Sequence, residues 1–271
     1  MIGAGFTVID CLITVSIVSH GQASILTPLL AQLDEVSAVI PMNVIVTENL
    51  PGTRGAIKLD DVDDYGFEFI ENTKPKGFGA NHNAAFCQCR TPYFFVLNPD
   101  LILDGDPFTP VLAFLSGERT GIVAPSIASP SGTIEDSARR VPTTGRLLDR
   151  MICRMRGDAQ KSDYPIGVDV DVDWVAGMFM GFKSEVFRQL HGFDERFHMY
   201  CEDVDVCLRT WCLGFRVVRL GRIVVRHDAR RDSHRRFGYL AWHVRSLARM
   251  FLSATYWRFR LRRMPHAATT R

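Results

Sequence analysis

Residues 192–216 read GFDERFHMYCEDVDVCLRTWCLGFR and form the most informative part of the chain. Their apolar residues recur at helical spacing, and Gly214 predicts the end of that helix. The acidic pair Glu202 and Asp203 falls in its first turn, where the helix dipole favours an ionised carboxylate. Acidic residues often begin helices for that reason alone, so the rest of the chain must show whether the pair has a function. The predicted buried face comprises Val204, Cys207, Leu208, Trp211 and Cys212.

The length and composition predict one folded domain with an appendage. A chain of 271 residues that is 46% hydrophobic can bury one substantial core. We expect a domain at 1–228 and a C-terminal extension at 229–271. The seven cysteines show no paired metal-binding spacing and are typical of small buried side chains in a reducing compartment.

The N-terminal region predicts a strand and no targeting segment. The first 18 residues are apolar, but Asp10 interrupts them and no basic region precedes them. No apolar run reaches the length of a membrane span. These patterns predict a cytoplasmic protein.

The charge is distributed unevenly along the chain. The net charge is +2, but residues 229–271 hold eleven arginines and one acid, which gives this segment +10 and the remainder −8. An acidic body with a basic tail indicates a partner for the tail. The arginines are Arg230, Arg231, Arg235, Arg236, Arg245, Arg249, Arg258, Arg260, Arg262, Arg263 and Arg271.

Apolar runs and helical patterns alternate along residues 12–124, which predicts a mostly parallel sheet with helices on its faces. Polar clusters at 19–21, 48–49, 72 and 98–100 each follow a predicted strand. Ligands of such sheets bind beyond the carboxyl ends of the strands, so these clusters predict a nucleotide-type site. The predicted strands are 12–18, 44–46, 67–70, 93–97, 121–124, 174–182 and 222–226, and the predicted helices are 23–37, 77–90 and 107–116. Residues 126–173 show little periodicity and predict a lid or mobile loop.

Two segments have the chemistry of a metal–diphosphate site. Asp100 follows a strand through the stiff turn Asn98-Pro99, and divalent cations often take only one or two protein carboxylates beside phosphate oxygens. His227 also follows a strand and suits manganese. The alternatives are an Asx-type turn for Asp100 and a structural role for His227.

Two other polar segments each have two interpretations. The glycine-led helix start 77–83 permits close backbone approach, and its free N–H groups could face an anion. Such helix starts are common in proteins without a ligand there. Glu48 could accept a hydrogen bond from a base or ribose, or it could cap the turn that follows its strand.

Taken in order, these segments resemble the family 2 glycosyltransferases of the GT-A fold, particularly bacterial rhamnosyltransferases of cell-surface polysaccharide and O-antigen assembly. The resemblance covers nearly the whole chain. Two departures are Glu48, where the family usually has Asp, and Gly21, where Asn is common. The matching segments are 16–20 (SIVSH), Asn72 with 77–83 (GFGANHN), 97–100 (LNPD), Ser137-x-Arg139 with Pro142-Thr143, Trp174-x-x-Gly177, and 192–195 (GFDE) with Glu202-Asp203.

The resemblance implies an inverting sugar transfer with Asp203 as the catalytic base. It implies a divalent cation, Mn²⁺ or Mg²⁺, at Asp100 with His227 as second ligand. The donor would be a dTDP- or UDP-linked sugar and the acceptor a lipid-linked glycan at the inner face of the plasma membrane. Implied donor-binding residues are Ser19, Glu48, Asn72, Gly79, Asn81, Asn98 and Asp100, and implied acceptor-side residues are Trp174, Gly177 and Glu202.

The basic tail contains an amphipathic pattern with aromatic residues at its edges. Such a helix either lies on an anionic membrane surface or packs on the domain with a solvated basic face. No recognition motif accompanies the arginines, so we expect no nucleic-acid partner. The apolar stripe comprises Phe237, Leu240, Ala241, Val244, Leu247, Ala248, Phe251 and Leu252.

Two rival functions make different demands on the chain. A sugar-nucleotide pyrophosphorylase would need a glycine-rich basic loop directly after the first strand, and residues 19–22 (SHGQ) are not one. A non-catalytic membrane-associated scaffold would not require Asp100 and Asp203 to share a site.

Overall fold

The chain alternates strands and helices in a computed structural model, which describes residues 11–53, 66–158, 162–228 and 237–263. The prediction about a targeting segment depends largely on residues 1–10, which lie outside these ranges, as do Arg230, Arg231, Arg235, Arg236 and Arg271. The strands are β1 (Ile13–Ser19), β2 (Met42–Glu48), β3 (Gly66–Glu71), β4 (Tyr93–Leu97), β5 (Leu101–Ile102), β6 (Thr120–Ala128), β7 (Ala138–Arg139), β8 (Val170–Asp171), β9 (Trp174–Val175), β10 (Phe179–Lys183) and β11 (Arg216–His227). The helices are α1 (Ala23–Ser37), α2 (Phe78–Phe86), α3 (Phe108–Leu115), α4 (Thr144–Arg156), α5 (Ser184–Gln189), α6 (Glu202–Cys212), α7 (Phe237–Leu252) and α8 (Ala254–Arg263).

The described strands form a central sheet of nine and a small sheet of two. The order in the large sheet is β3-β2-β1-β4-β10-β6-β11-β5, and β8 also pairs with β11. β3, β2, β1 and β4 run parallel, and β6 and β11 share their direction. Every residue of β1 and β2 is buried, as expected for strands covered on both faces. The α/β fold with a mostly parallel sheet is therefore confirmed.

β10 runs antiparallel between β4 and β6, so the chain enters it at the carboxyl end of β4. Phe179 lies opposite Leu97, and Gly181 lies opposite Val123. A Cβ at Gly181 would lie 2.7 Å from Phe95 Cε1, so only glycine allows this close approach. The insertion places residues 176–178 directly beside residues 98–100.

Apolar layers cover both faces of the sheet. One layer packs α1 and α3 against it, and the other packs α5, α6 and α8. Phe187 is a centre of the second layer, with ring centroids 4.6 Å from Phe86, 5.1 Å from Phe94 and 4.9 Å from Phe182. Edge-to-face packing of this kind stabilises a core beyond the area that it buries.

The prediction of an irregular segment at 126–173 is wrong for α4. Thr143 Oγ1 accepts from the Arg146 N–H at 3.2 Å to cap this helix, and Gly157 ends it at φ +72°. None of the residues of α4 is buried. Its apolar side chains therefore do not form the buried stripe by which a helix is predicted from sequence. The predicted strand 174–182 is also two strands, because residues 176–178 leave the sheet between β9 and β10.

The C-terminal helices pack on the domain. In α8, Tyr256 is 2% exposed and Phe259 is 3% exposed, both within the second apolar layer. The predicted stripe of α7 is divided. Leu247 and Phe251 pack against the second apolar layer, whereas Val244 and Leu252 are exposed. Side chains 237–241 lie outside the described part of the chain. None of the described helices is long and apolar enough to cross a membrane.

We expect Phe259→Ala to lower the free energy of unfolding by about 3–5 kcal/mol, because it empties a buried aromatic site. Leu261→Ala is the control on the same helix, since Leu261 is 66% exposed, and it should change the free energy by about 0.5 kcal/mol or less. Urea unfolding of the two variants measures both values. Equal effects would show that α8 is not part of the folded core.

Candidate functional site

The helix α6 begins with a strained turn that positions Glu202 and Asp203. Tyr200 and Cys201 have φ values of +71° and +67°, a region that side chains other than glycine rarely adopt. Each such residue costs about 1–3 kcal/mol and persists only where its surroundings impose it. Phe197 and Cys201 are buried in the second apolar layer, which holds this turn in place.

The Asp203 carboxylate bridges its own helix and the segment before β10. Its Oδ1 accepts from the Val204 N–H at 2.8 Å, and its Oδ2 accepts from the Gly177 N–H at 3.3 Å. A Cβ at Gly177 would lie 3.0 Å from Phe78 Cζ and 3.8 Å from Asp203 Cβ. Gly177 therefore allows this segment, Phe78 and Asp203 to meet at one point.

The two acidic residues titrate in different surroundings. Burial raises the pKa of Asp203, while the N–H groups of Val204 and Gly177 and the charge of Arg139 oppose that rise. Burial, with the charge of Asp203 added, raises the pKa of Glu202 to about 8. Glu202 Oε2 is buried without a hydrogen-bond partner among the described residues. Burial is thus the main cause of both shifts, and each carboxyl group holds its proton more tightly than an exposed one does.

Asp100 and His227 lie together at the sheet edge. Leu101 pairs with His227 across β5 and β11, and His227 Nε2 lies 3.2 Å from Asp100 Oδ1. His227 Nδ1 lies 3.6 Å from Glu135 Oε2. Burial lowers the pKa of His227, but the carboxylates of Asp100 and Glu135 raise it more, so its net shift is upward.

These two side chains fit a divalent cation that is shared with a ligand. Adjacent ligand atoms around an octahedral cation lie about 3 Å apart when the bonds are about 2.1 Å long. Apart from the His227 ring, the buried Asp100 Oδ1 has no hydrogen-bond partner among the described residues, which leaves it available. The described part of the chain contains no cluster of three or more His, Cys, Asp or Glu suited to a metal. Any cation here would therefore take its remaining ligands from phosphate or water.

Two consecutive residues connect Asp100 with Asp203. The Asn98 N–H donates to the Met178 carbonyl at 2.8 Å, and the next residue back, Gly177, donates to Asp203. The turn that carries Asp100 and the helix start that carries Asp203 therefore flank the same short segment. The structure brings these two carboxylates into one region, which a scaffold would not require.

A buried network of polar side chains supports the strand ends. Asn72 Nδ2 donates to Asn49 Oδ1 at 2.8 Å and to Asn81 Oδ1 at 2.6 Å. Asn49 Oδ1 also accepts from the Lys76 N–H at 2.8 Å, which fixes the loop before α2. Asn49 was expected only as a member of the polar cluster 48–49, without a role of its own in fixing this loop. Donor binding by Asn72 and Asn81 remains a prediction.

Glu48 binds the loop that follows β1. It accepts from Ser19 Oγ at 2.7 Å, from the Gly21 N–H at 2.9 Å and from the Leu50 N–H at 3.1 Å. The side chain is fully buried. Of the two interpretations of Glu48, the structure shows that it caps the turn. A contact between Glu48 and a base or ribose remains a prediction, as does donor binding by Ser19.

The glycines of residues 77–83 pack against the chain itself. A Cβ would lie 2.5 Å from the His198 carbonyl oxygen at Gly77 and 2.6 Å from Phe193 Cβ at Gly79. The Phe78 N–H donates to the His198 carbonyl at 3.1 Å. The Phe78 N–H is therefore not free to face an anion, because it joins α2 to the turn before α6. A role for Gly79 in donor binding remains a prediction.

The small sheet of β7 and β9 borders the Asp203 carboxylate. Arg139 pairs with Trp174, and its guanidinium lies 5.7 Å from the indole centroid. Trp174 is buried and donates to the Arg140 carbonyl at 3.1 Å, so it supports Arg139. Arg139 belongs to the matching segment Ser137-x-Arg139, but no residue spacing pointed to its charge beside Asp203. The predicted acceptor-side roles of Trp174 and Gly177 remain predictions.

Comparisons with known proteins agree with this arrangement. Residues 41–178 match the model of the family described as glycosyl transferase family 2. The chain is 28% identical over 253 residues to the rhamnosyltransferase WbbL of Escherichia coli strain K12, with 88% of this chain and 92% of that protein covered. It is 28% identical over 168 residues to the N-acetylglucosaminyl-diphospho-decaprenol L-rhamnosyltransferase of Mycobacterium tuberculosis strain CDC 1551 / Oshkosh, covering 53% and 50%.

The fold also resembles that of a solved mannosyltransferase. PcManGT from Pyrobaculum calidifontis, solved in complex with GDP-Man and Mn²⁺, matches with a TM-score of 0.58 at 17% identity, covering 88% of this chain and 64% of that one. At this identity the likeness concerns the fold alone. The family match spans the polar network and Asp100, and the similarity to WbbL covers most of the chain. The protein is a rhamnosyltransferase-like glycosyltransferase and belongs to glycosyl transferase family 2.

Proposed function

We propose that this protein transfers a sugar, with rhamnose favoured, from a nucleoside diphosphate to a hydroxyl of a lipid-linked glycan, with inversion at the anomeric carbon. The observation that carries this proposal is the shared segment 177–178, which joins the Asp203 carboxylate to the turn before Asp100. The names of the two curated relatives support rhamnose, and that of the mycobacterial one supports a diphospho-lipid acceptor. We infer a dTDP- or UDP-linked donor and a site of action at the inner face of the membrane.

Asp203 acts as the general base in this proposal. It is held on a rigid helix start and its oxygens are oriented by the N–H groups of Val204 and Gly177. Burial raises its pKa, which increases its affinity for a proton, while the N–H groups of Val204 and Gly177 and the charge of Arg139 oppose that rise. A base of this kind takes the proton from the acceptor hydroxyl as that oxygen attacks the sugar.

Asp100 and His227 would hold a Mn²⁺ or Mg²⁺ ion together with the donor diphosphate. A cation there supplies neutralisation of charge on the departing nucleoside diphosphate. Glu135 Oε2 lies 3.6 Å from the other ring nitrogen of His227, Nδ1, so its charge would favour this orientation of the imidazole. The Mn²⁺ in the complex of the structurally similar mannosyltransferase supports this assignment. We propose residues 1–228 as the catalytic domain and residues 229–271 as an extension that aids attachment to anionic membrane.

The rival functions have less support. A pyrophosphorylase needs free N–H groups after the first strand to hold a triphosphate, but Gly21 N–H donates to the buried carboxylate of Glu48. A negative charge in that loop would repel phosphate. A scaffold has no need for two adjacent acids, one of them buried, at a strained helix start.

We expect Asp203→Asn to reduce turnover by about 100-fold to 10,000-fold, because the amide cannot accept the proton of the attacking hydroxyl. Binding of the donor should be nearly unchanged. Asp158→Asn is the control, since Asp158 is exposed and lies outside the site. Transfer assays with a nucleotide-sugar panel measure turnover, and turnover near that of the wild type would refute the role of Asp203.

Asp100→Ala should weaken Mn²⁺-dependent binding of dTDP or UDP more than His227→Ala does, because a carboxylate is the stronger ligand of a hard cation. Asp104→Ala is the control, since Asp104 is a nearby exposed residue that pairs with Arg226. Calorimetry with and without Mn²⁺ measures the affinities. Nucleotide affinity that is independent of the metal in the wild type would contradict the site.

The buried Glu202 predicts a pH-dependent stability. Its pKa rises from 4.5 to about 8 on folding, so the folded state binds the extra proton between these pH values. The free energy of unfolding should therefore fall as the pH rises through that window, and Glu202→Gln should remove this part of the slope. Urea unfolding across the pH range measures the slope, with the exposed Glu118→Gln as control. Equal slopes in wild type and Glu202→Gln would show that Glu202 ionises normally.

A further inference from the structure

The helix α4 exposes an apolar face that no described part of the chain covers. Leu148, Met151 and Met155 are 53%, 56% and 77% exposed. At 100° per residue these three side chains project within about 60° of one another. A contiguous exposed face of this kind is characteristic of a binding surface.

Arginines flank this face on both sides. By the same geometry Arg154 and Arg156 lie at its two margins, about 90–110° from its centre. Both are exposed, and neither forms an ion pair with the residues that the structure describes. Arg150, in contrast, pairs with Asp136 at 2.8 Å and Asp163 at 2.9 Å and attaches the other side of α4 to the domain.

The helix α8 repeats this arrangement. Trp257 and Leu261, one helical turn apart, are 52% and 66% exposed, and Arg258 and Arg260 flank them. Tyr256 and Phe259 anchor the opposite side of α8 in the core. Because the opposite side of α8 is fixed in the core, Trp257 and Leu261 are held at the protein surface.

The two helices begin side by side. Tyr256 Oη donates to the Pro142 carbonyl at 3.0 Å, and the next residue, Thr143, caps α4. Residues 140–143 alone separate α4 from β7, and the Ser137 carbonyl just before β7 accepts from the Ala176 N–H at 2.8 Å. The exposed faces therefore adjoin the side of the site where Arg139 and Asp203 lie.

We propose that α4 and α8 together form the surface with which this protein lies on an anionic lipid bilayer. Apolar side chains between arginines suit the boundary between acyl chains and headgroups, and tryptophan favours the same depth. Arginine charge that no carboxylate neutralises is complementary to the anionic headgroups. This inference rests on the proposed lipid-linked acceptor. It adds α4, which lies outside the C-terminal extension 229–271, to the part of the chain that contacts the membrane.

Co-sedimentation of the full chain with vesicles tests this surface. The vesicles contain phosphatidylcholine alone or phosphatidylcholine with phosphatidylglycerol, at low and high salt. We expect wild-type binding to the anionic vesicles, weakened by salt. Leu148→Ser/Met151→Ser on α4 and Trp257→Ser/Leu261→Ser on α8 should each lower the vesicle affinity about tenfold or more. Arg154→Gln/Arg156→Gln should lower it similarly and remove part of its salt dependence.

Val39→Ser is the matched control, because Val39 is 71% exposed and lies far along the chain from both helices, after α1. Its affinity should equal that of the wild type. Unchanged binding of the α4 variants, or no wild-type binding to anionic vesicles at low salt, would overturn the proposal. Metal-dependent binding of dTDP or UDP by the same variants provides a separate measurement. Its absence in the wild type would refute the proposed transfer, whereas vesicle binding still reports on the surface.

Discussion

The antiparallel insertion of β10 between β4 and β6 is the constraint on which the site depends. It places Met178 against Asn98 and leaves Gly177 free to donate to Asp203. If the strand in the place of β10 ran parallel to β4, the residues before it would lie at the amino ends of the strands. They could then not connect the start of α6 with the carboxyl end of β4. The relation between the two acidic sites therefore follows from the direction of one strand.

The polar residues of the site form an inner and an outer group. Glu48, Asn72 and Asn81 are buried and hold the loops at the strand ends, so their hydrogen bonds are satisfied within the chain. Asp100 and Asp203 keep some exposure to solvent; the Asp100 side chain pairs with the His227 ring, and burial raises the pKa of Asp203, as expected of groups that act on a ligand. The positive φ angles of Tyr200 and Cys201 lower the folding stability at the turn that carries Glu202 and Asp203.

The sequence predicted the elements whose apolar residues face the core. The helix at 23–37 and the strand at 93–97 have the predicted bounds, because their buried residues repeat at the period of each element. It did not predict α4, whose apolar residues face outward, nor the packing of Gly77 and Gly79 against residues distant in sequence. The proximity of Asp100, His227 and Glu135 arises from strand pairing, which spacing along the chain does not encode.

The most direct test of the central claim, that Asp100 and Asp203 serve one reaction site, is a crystal structure with Mn²⁺ and UDP or dTDP. The account predicts an anomalous manganese signal bound to Asp100 Oδ1 and His227 Nε2, with the terminal phosphate directed toward the space in front of Asp203. Manganese bound elsewhere, or a nucleotide whose diphosphate points away from α6, would contradict the account.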